Sequence, residues 1–183
     1  MRNQLPAGVE DASGPQSARR RCVGSGPTLR AYGRAFVIAI DTNILIYADR
    51  EESTQHATAL QAIRRLAEGD EAWAIPVFCI GEFLRVVSHD RLFDPPTPVM
   101  DAIDSMESLL ASPSARLLVP GDRYLRLLPS LIEESGVRGN LVFDAQIAAV
   151  CLEHGASILL TEDRDFARFR SLKPMTLEAF LAR

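Results

Sequence analysis

Phe36-Val-Ile-Ala-Ile40 followed by Asp41-Thr42-Asn43 and Ile44-Leu-Ile-Tyr-Ala48 is the stretch that decides the fold. Five consecutive apolar residues with no polar alternation describe a strand covered on both faces, as in a parallel sheet. The three polar residues after it bring the strand to an abrupt end. Thr42 or Asn43 is placed to start a short helix over 44–48. An apolar strand thus delivers the Asp41 carboxylate to its carboxyl end, and Asp41 can equally be a helix cap.

Working outward, the pattern repeats. Ser53-Thr54 is placed to cap a helix reaching Glu68, with Ala57, Leu60, Ile63 and Leu66 at helical spacing and Gly69 as the stop. A strand is expected over 71–75, a helix over 77–88, a Pro-rich loop from Asp94, and a helix over 97–110. A third strand falls at 116–119, then a helix capped by Asp122 and running to Ser135. A sixth helix starts at Leu141 or Val142 and runs to Glu153, a fourth strand covers 157–160, and a short helix covers 163–169. Residues 173–175 add an edge strand and 177–181 a terminal turn. Strands alternating with helices give an α/β three-layer sandwich around a mainly parallel sheet of four or five strands. Ligands in such sheets sit beyond the carboxyl ends of the strands.

Four acidic residues follow strands or sit in the helices after them: Asp41, Glu82, Asp144 and Asp163. Each is embedded in apolar sequence, where a lone charge is costly unless paired or metal-bound. Four carboxylates converging on one point repel strongly without a cation, which points to a divalent metal and metal-assisted hydrolysis. Each also has a plainer reading. Glu82 can pair with Arg85 one turn on. Asp144 can complement the dipole of its helix. Any of Glu162, Asp163 and Asp165 can cap the last short helix.

Composition sets the limits. The 183 residues suffice for one domain with a real core, and 47% apolar content is ordinary for a globular protein. No apolar run nears the roughly 20 residues needed to cross a bilayer. Arg19-Arg20-Arg21 is not followed by a hydrophobic segment, so a signal peptide is not indicated and a cytoplasmic protein is expected. Three cysteines and three histidines are scattered, with no disulfide framework or zinc spacing. Residues 1–35 are rich in Gly, Pro, Ser and Arg and lack a hydrophobic period. They are expected to be disordered or outside the natural product, leaving 36–183 as the folded domain. The net charge of −4 is uneven: residues 1–36 carry six arginines against Glu10 and Asp11, so the remainder stands at −8. That is an acidic body for a protein that would bind phosphate backbones.

Taken together and in order, four segments resemble the PIN-domain nucleases, particularly the VapC toxins of bacterial toxin–antitoxin pairs. They are Ile-Asp-Thr-Asn-Ile-Leu-Ile-Tyr47, Ile-Gly-Glu-Phe-Leu-Arg85, Asn-Leu-Val-Phe-Asp-Ala-Gln-Ile-Ala-Ala149 and Leu-Leu-Thr-Glu-Asp-Arg-Asp-Phe166. The resemblance covers about residues 37–181. It implies a PIN-like sandwich and a Mg²⁺- or Mn²⁺-dependent endoribonuclease acting on RNA, with acidic ligands at Asp41, Glu82, Asp144 and Asp163. Asp165 is close enough to compete for the fourth position. Asn43 and Thr161 match supporting polar residues at such sites. The resemblance also implies a small antitoxin as partner and a homodimer. Leu92 and Phe93, between the third and fourth helices, are the expected docking residues. The family's chains usually begin just before the first strand, so the first 36 residues depart from it and Val37 stands where a start would be expected. Two rival readings remain at this point. One is a haloacid-dehalogenase-type phosphatase, which wants a second Asp where Asn43 stands; the other is a catalytically silent binding module.

Overall fold

The computed structural model describes residues 37–183. The expected extension over residues 1–35 lies outside the described residues. Five short strands form one sheet in the order β3-β2-β1-β4-β5. They are β1 (Ile38–Ile40), β2 (Trp73–Pro76), β3 (Ala115–Leu118), β4 (Ile158–Leu160) and β5 (Lys173–Met175), and every neighbouring pair is parallel. β1 is central, and its three residues are wholly buried, as the uninterrupted apolar run requires.

The helices are α1 (Thr42–Asp49), α2 (His56–Glu68), α3 (Val77–Val87), α4 (Val99–Leu110), α5 (Tyr124–Ser135), α6 (Leu141–Glu153) and α7 (Leu177–Leu181), with a 3₁₀ turn over Arg164–Arg168. The chain steps from β1 to β2 to β3 in one direction, then returns through α5 and α6 to β4 on the other side of β1. α1–α4 lie in the connections from β1 to β2 to β3, and α5 and α6 in the connection from β3 to β4. α2 buries Ala59, Ala62, Ile63 and Leu66, one stripe at helical spacing. α6 buries Ala145 and the run Ile147–Cys151, so it is covered on most sides and forms the inner helix of its layer. Among the described residues, no helix is long and apolar enough to cross a membrane.

The differences from the sequence reading lie at element ends. Asp41 itself, in extended conformation, caps α1 by accepting from the Thr42 amide, so Thr42 and Asn43 fall inside the helix. β2 begins at Trp73 and takes in Pro76, and β3 begins at Ala115. α2 starts at His56 after Gln55, α4 starts at Val99, and neither has a side-chain cap. Asp122 does not cap α5. The Glu153 carboxylate, at the far end of α6, accepts from the Gly121 amide at 2.8 Å and the Arg123 amide at 2.6 Å. A partner thirty positions away thus satisfies donors that a local cap would otherwise take.

Candidate active site

The strand order reverses between β1 and β4, the place where the carboxyl ends of an α/β sheet leave a crevice. Asp41 follows β1 and Thr161 follows β4, so both project into this crevice. Asp41 is 4% exposed and both its carboxylate oxygens accept hydrogen bonds. Oδ1 accepts from the Thr42 amide at 2.7 Å; Oδ2 accepts from Asn43 Nδ2 at 2.7 Å and from the Thr161 hydroxyl at 2.6 Å. Thr161 Oγ1 in turn accepts from Asn43 Nδ2 and from the Asp163 amide, each at 3.0 Å. The Asn43 carbonyl oxygen accepts from the Glu162 amide at 3.4 Å. This network locks Asp41 in place and stitches α1 to the chain leaving β4.

Glu82 stands on α3, where the Thr42 hydroxyl donates to its Oε2 at 3.1 Å and Arg85 pairs with its Oε1 at 3.5 Å. The plain ion-pair reading of Glu82 is therefore present in the structure. It does not exhaust the residue, because Glu82 also lines a cleft of about 850 Å³ together with Asp144 and Asp163. Asp144 is half-buried in the first turn of α6. Asp163 caps the 3₁₀ turn by accepting from the Asp165 amide at 2.8 Å. Asp165 reaches Arg168 at 3.1 Å, and neither it nor Asp41 is among the residues lining the cleft. The structure thus gathers Asp41, Glu82, Asp144 and Asp163 around one end of the sheet, with Asn43 and Thr161 supporting Asp41 and Asp165 turned to Arg168.

The carboxylates perturb one another. Burial first, then Glu82 and Asp163, push Asp41 up to about 6 against the pull of its hydrogen bonds from Thr161 and Thr42. Burial first, then Asp163, Asp41, Glu82 and Asp165, push Asp144 up to about 7. Tyr47 is also raised, by burial and then by Glu162, Asp41 and Asp163. Carboxyls that resist ionisation this strongly mark a place built for a counter-charge.

As placed, no three Asp, Glu, His or Cys side chains among the described residues stand close enough to hold a metal ion between them. The donor chemistry nevertheless fits a hard divalent cation, since it consists of mutually repelling carboxylate oxygens. Mg²⁺ keeps several waters and takes only one or two carboxylates directly, so an open ring suits it. Cys79 and Cys151 are buried, and the Asp41 charge adds to burial in raising both thiols.

A family model described as the PIN domain matches residues 38–172. The chain belongs to the PIN-domain family. Its PIN domain is 38% identical over 137 residues to ribonuclease VapC43 of Mycobacterium tuberculosis, covering 75% of this chain and 92% of that protein. It is 35% identical over 134 residues to ribonuclease VapC25 of the same organism, covering 73% and 94%. Among solved structures, a Rickettsia felis VapBC2 complex bound to a promoter DNA fragment aligns at a TM-score of 0.57 and 18% identity, covering 77% of this chain and 98% of that one. That likeness shows the fold, and the five parallel strands fall within the four or five mainly parallel strands expected from the sequence; membership of the PIN-domain family disfavours the phosphatase reading. Thr42 was expected to start α1 or to orient the Asp41 carboxylate; its hydroxyl instead donates to Glu82 on α3. Its neighbour Asp41 made a helix-start role the obvious one, and nothing local signals a partner forty positions on.

Proposed function

We propose that this chain is a metal-dependent endoribonuclease acting as the toxin of a toxin–antitoxin pair. What supports the reading is the shared placement of Asp41, Glu82, Asp144 and Asp163 around the carboxyl end of the sheet, where burial and neighbouring carboxylates push Asp41 up to about 6 and Asp144 up to about 7. The relatives named VapC ribonucleases support the same activity. Asp41 and Asp144 are the principal ligands in this reading, with Glu82 and Asp163 holding a second ion or an ordered water. A bound Mg²⁺ or Mn²⁺ supplies an acidified water and positive charge for the phosphoryl oxygens. Thr161 and Asn43 fix the Asp41 carboxylate so that it needs no reorganisation when substrate arrives. The openness of the cleft admits a flexible single strand, the form in which RNA bases are accessible to a protein.

The partner in this reading is a small antitoxin, and the toxin is a homodimer. Leu92, after α3, at 57% and Val99 and Met100, at the start of α4, at 48% and 63% exposure leave apolar surface for it. Phe93 is less available, because the Arg50 guanidinium lies 4.1 Å over its ring. Co-purification with a small protein encoded beside this chain checks the pairing. The activity is tested by Asp41→Asn. The parent cleaves single-stranded RNA only with Mg²⁺ or Mn²⁺, and the variant does not, at unchanged circular dichroism. Cleavage that persists in chelator, or in the variant, overturns the reading.

A further inference from the structure

The cleft beside the carboxylates has a second half that their chemistry does not use. α3 presents Phe78, Gly81, Glu82 and Arg85 to it, at the spacing of one helix face. Gly81 sits mid-helix, where glycine is weaker than alanine. A Cβ built on it meets nothing within 4 Å, and its φ is not positive. Neither packing nor backbone conformation therefore requires a glycine. Across the cleft, Phe143 is 61% exposed in the first turn of α6, directly before Asp144. Phe78 is held from behind by Tyr124, ring centroids 5.8 Å apart. Asn140, at the start of α6, makes no capping bond with its amide. Arg85 is 63% exposed, its contact with Glu82 a loose 3.5 Å.

Resting on the nuclease reading above, we propose that the open space over Gly81, between Phe78 and Phe143, receives an unstacked RNA base next to the bond being cut. Arg85 at its rim takes an adjoining phosphate, and Asn140 meets the edge of the base. The charge balance favours this occupant. The residues from 37 onward stand at −8, so counter-ion release gives little affinity for a polyanion. Base–aromatic stacking is attractive without net charge and tolerates any base, because every base has a π-face. A glycine floor leaves room for a flat ring to slide over the helix backbone.

The test uses a labelled single-stranded RNA with one abasic position walked along it, bound in chelator so that nothing is cut. Phe143→Ala removes the exposed ring at no cost to the core, and Gly81→Leu fills the space. Each is expected to weaken binding by roughly five-fold or more, the size of one lost stacking contact. Phe143→Ala should have no further effect on the one RNA whose abasic position falls at the pocket. Phe143→Trp should keep affinity, and its emission should be quenched on RNA binding. With Mg²⁺, Phe143→Ala should raise KM and spare kcat. If both variants bind every RNA as the parent does, or if Phe143→Ala changes only self-association on sedimentation, the pocket is overturned while the nuclease stands. A parent that neither binds nor cleaves RNA overturns both.

Discussion

Replacing Asp144 by asparagine separates a functional carboxylate from a helix-end charge. Without metal, Asp144 ionises only near pH 7, held there by burial and then by Asp163, Asp41, Glu82 and Asp165. The unfolded chain ionises it near 3.8. Between these values the folded protein keeps a proton that the unfolded chain has given up, so stability falls as pH rises across the window. The asparagine side chain carries no charge and forgoes this loss. Because the parent residue is half-exposed, solvent screening reduces the effect to about 1–2 kcal/mol at pH 8. For a domain of this size, that is about 3–6 °C in melting temperature. At pH 5 only about a third of that window has been crossed, so the difference between the two proteins should shrink to about a third of its size at pH 8. The assay is thermal unfolding of parent and Asp144→Asn in chelator at pH 5 and 8, then with Mg²⁺ at pH 8. Parent should gain stability from Mg²⁺ and the variant should gain little. A variant that melts lower than parent at pH 8 in chelator would show that the charge serves the helix dipole, and the repulsion argument would be wrong.

Thr161→Val removes the hydroxyl that donates to Asp41 at 2.6 Å and accepts from Asn43 and the Asp163 amide. It should cost about 1–3 kcal/mol, because buried partners lose their bonds, and should move the Asp41 titration above about 6, read as a shift to higher pH of Mg²⁺-dependent stabilisation. An unchanged pH profile would remove Thr161 from the site. Glu153→Ala strips the Gly121 and Arg123 amides of their acceptor and should cost about 1 kcal/mol, typical of a lost helix cap. Hydrogen exchange should rise at the start of α5, and a uniform rise across the domain would argue against a local cap.

The parallel sheet was legible because Val37–Ile40 is apolar without alternation, a pattern that a half-exposed strand does not show. The site acids were legible because each interrupts apolar sequence. Where they meet was inferred from the alternation of strands and helices, and the switch point between β1 and β4 supplies the reason. What stayed hidden depends on distant partners. Glu153 entered the sequence reading only as the end of the sixth helix, and its role needs the loop before α5 folded against it. The apolar residues around Glu82 suggested a buried helix, yet Phe78 and Ile80 are partly open and Gly81 is exposed. Apolar residues line a cleft as readily as a core, and sequence pattern alone does not separate the two. Phe93 was expected at a docking surface, and Arg50, forty-three positions earlier, covers it.

The pairing of β1 with β4 has a consequence for how this protein comes into being. Ile38 aligns with Ile158, and the Asp41 carboxylate waits for a hydroxyl 120 positions later. Such non-local contacts close long loops, whose entropy opposes forming them early in folding. Domains emerge amino-terminus first during synthesis. A growing chain on the ribosome therefore exposes Asp41, Glu82 and eventually Asp144 before Thr161 and Asp163 exist to join them. The site becomes whole only once the segment from β4 through Asp163 is free, so that segment acts as the closing step of assembly, and a chain ended before it carries most of the acids but not the arrangement.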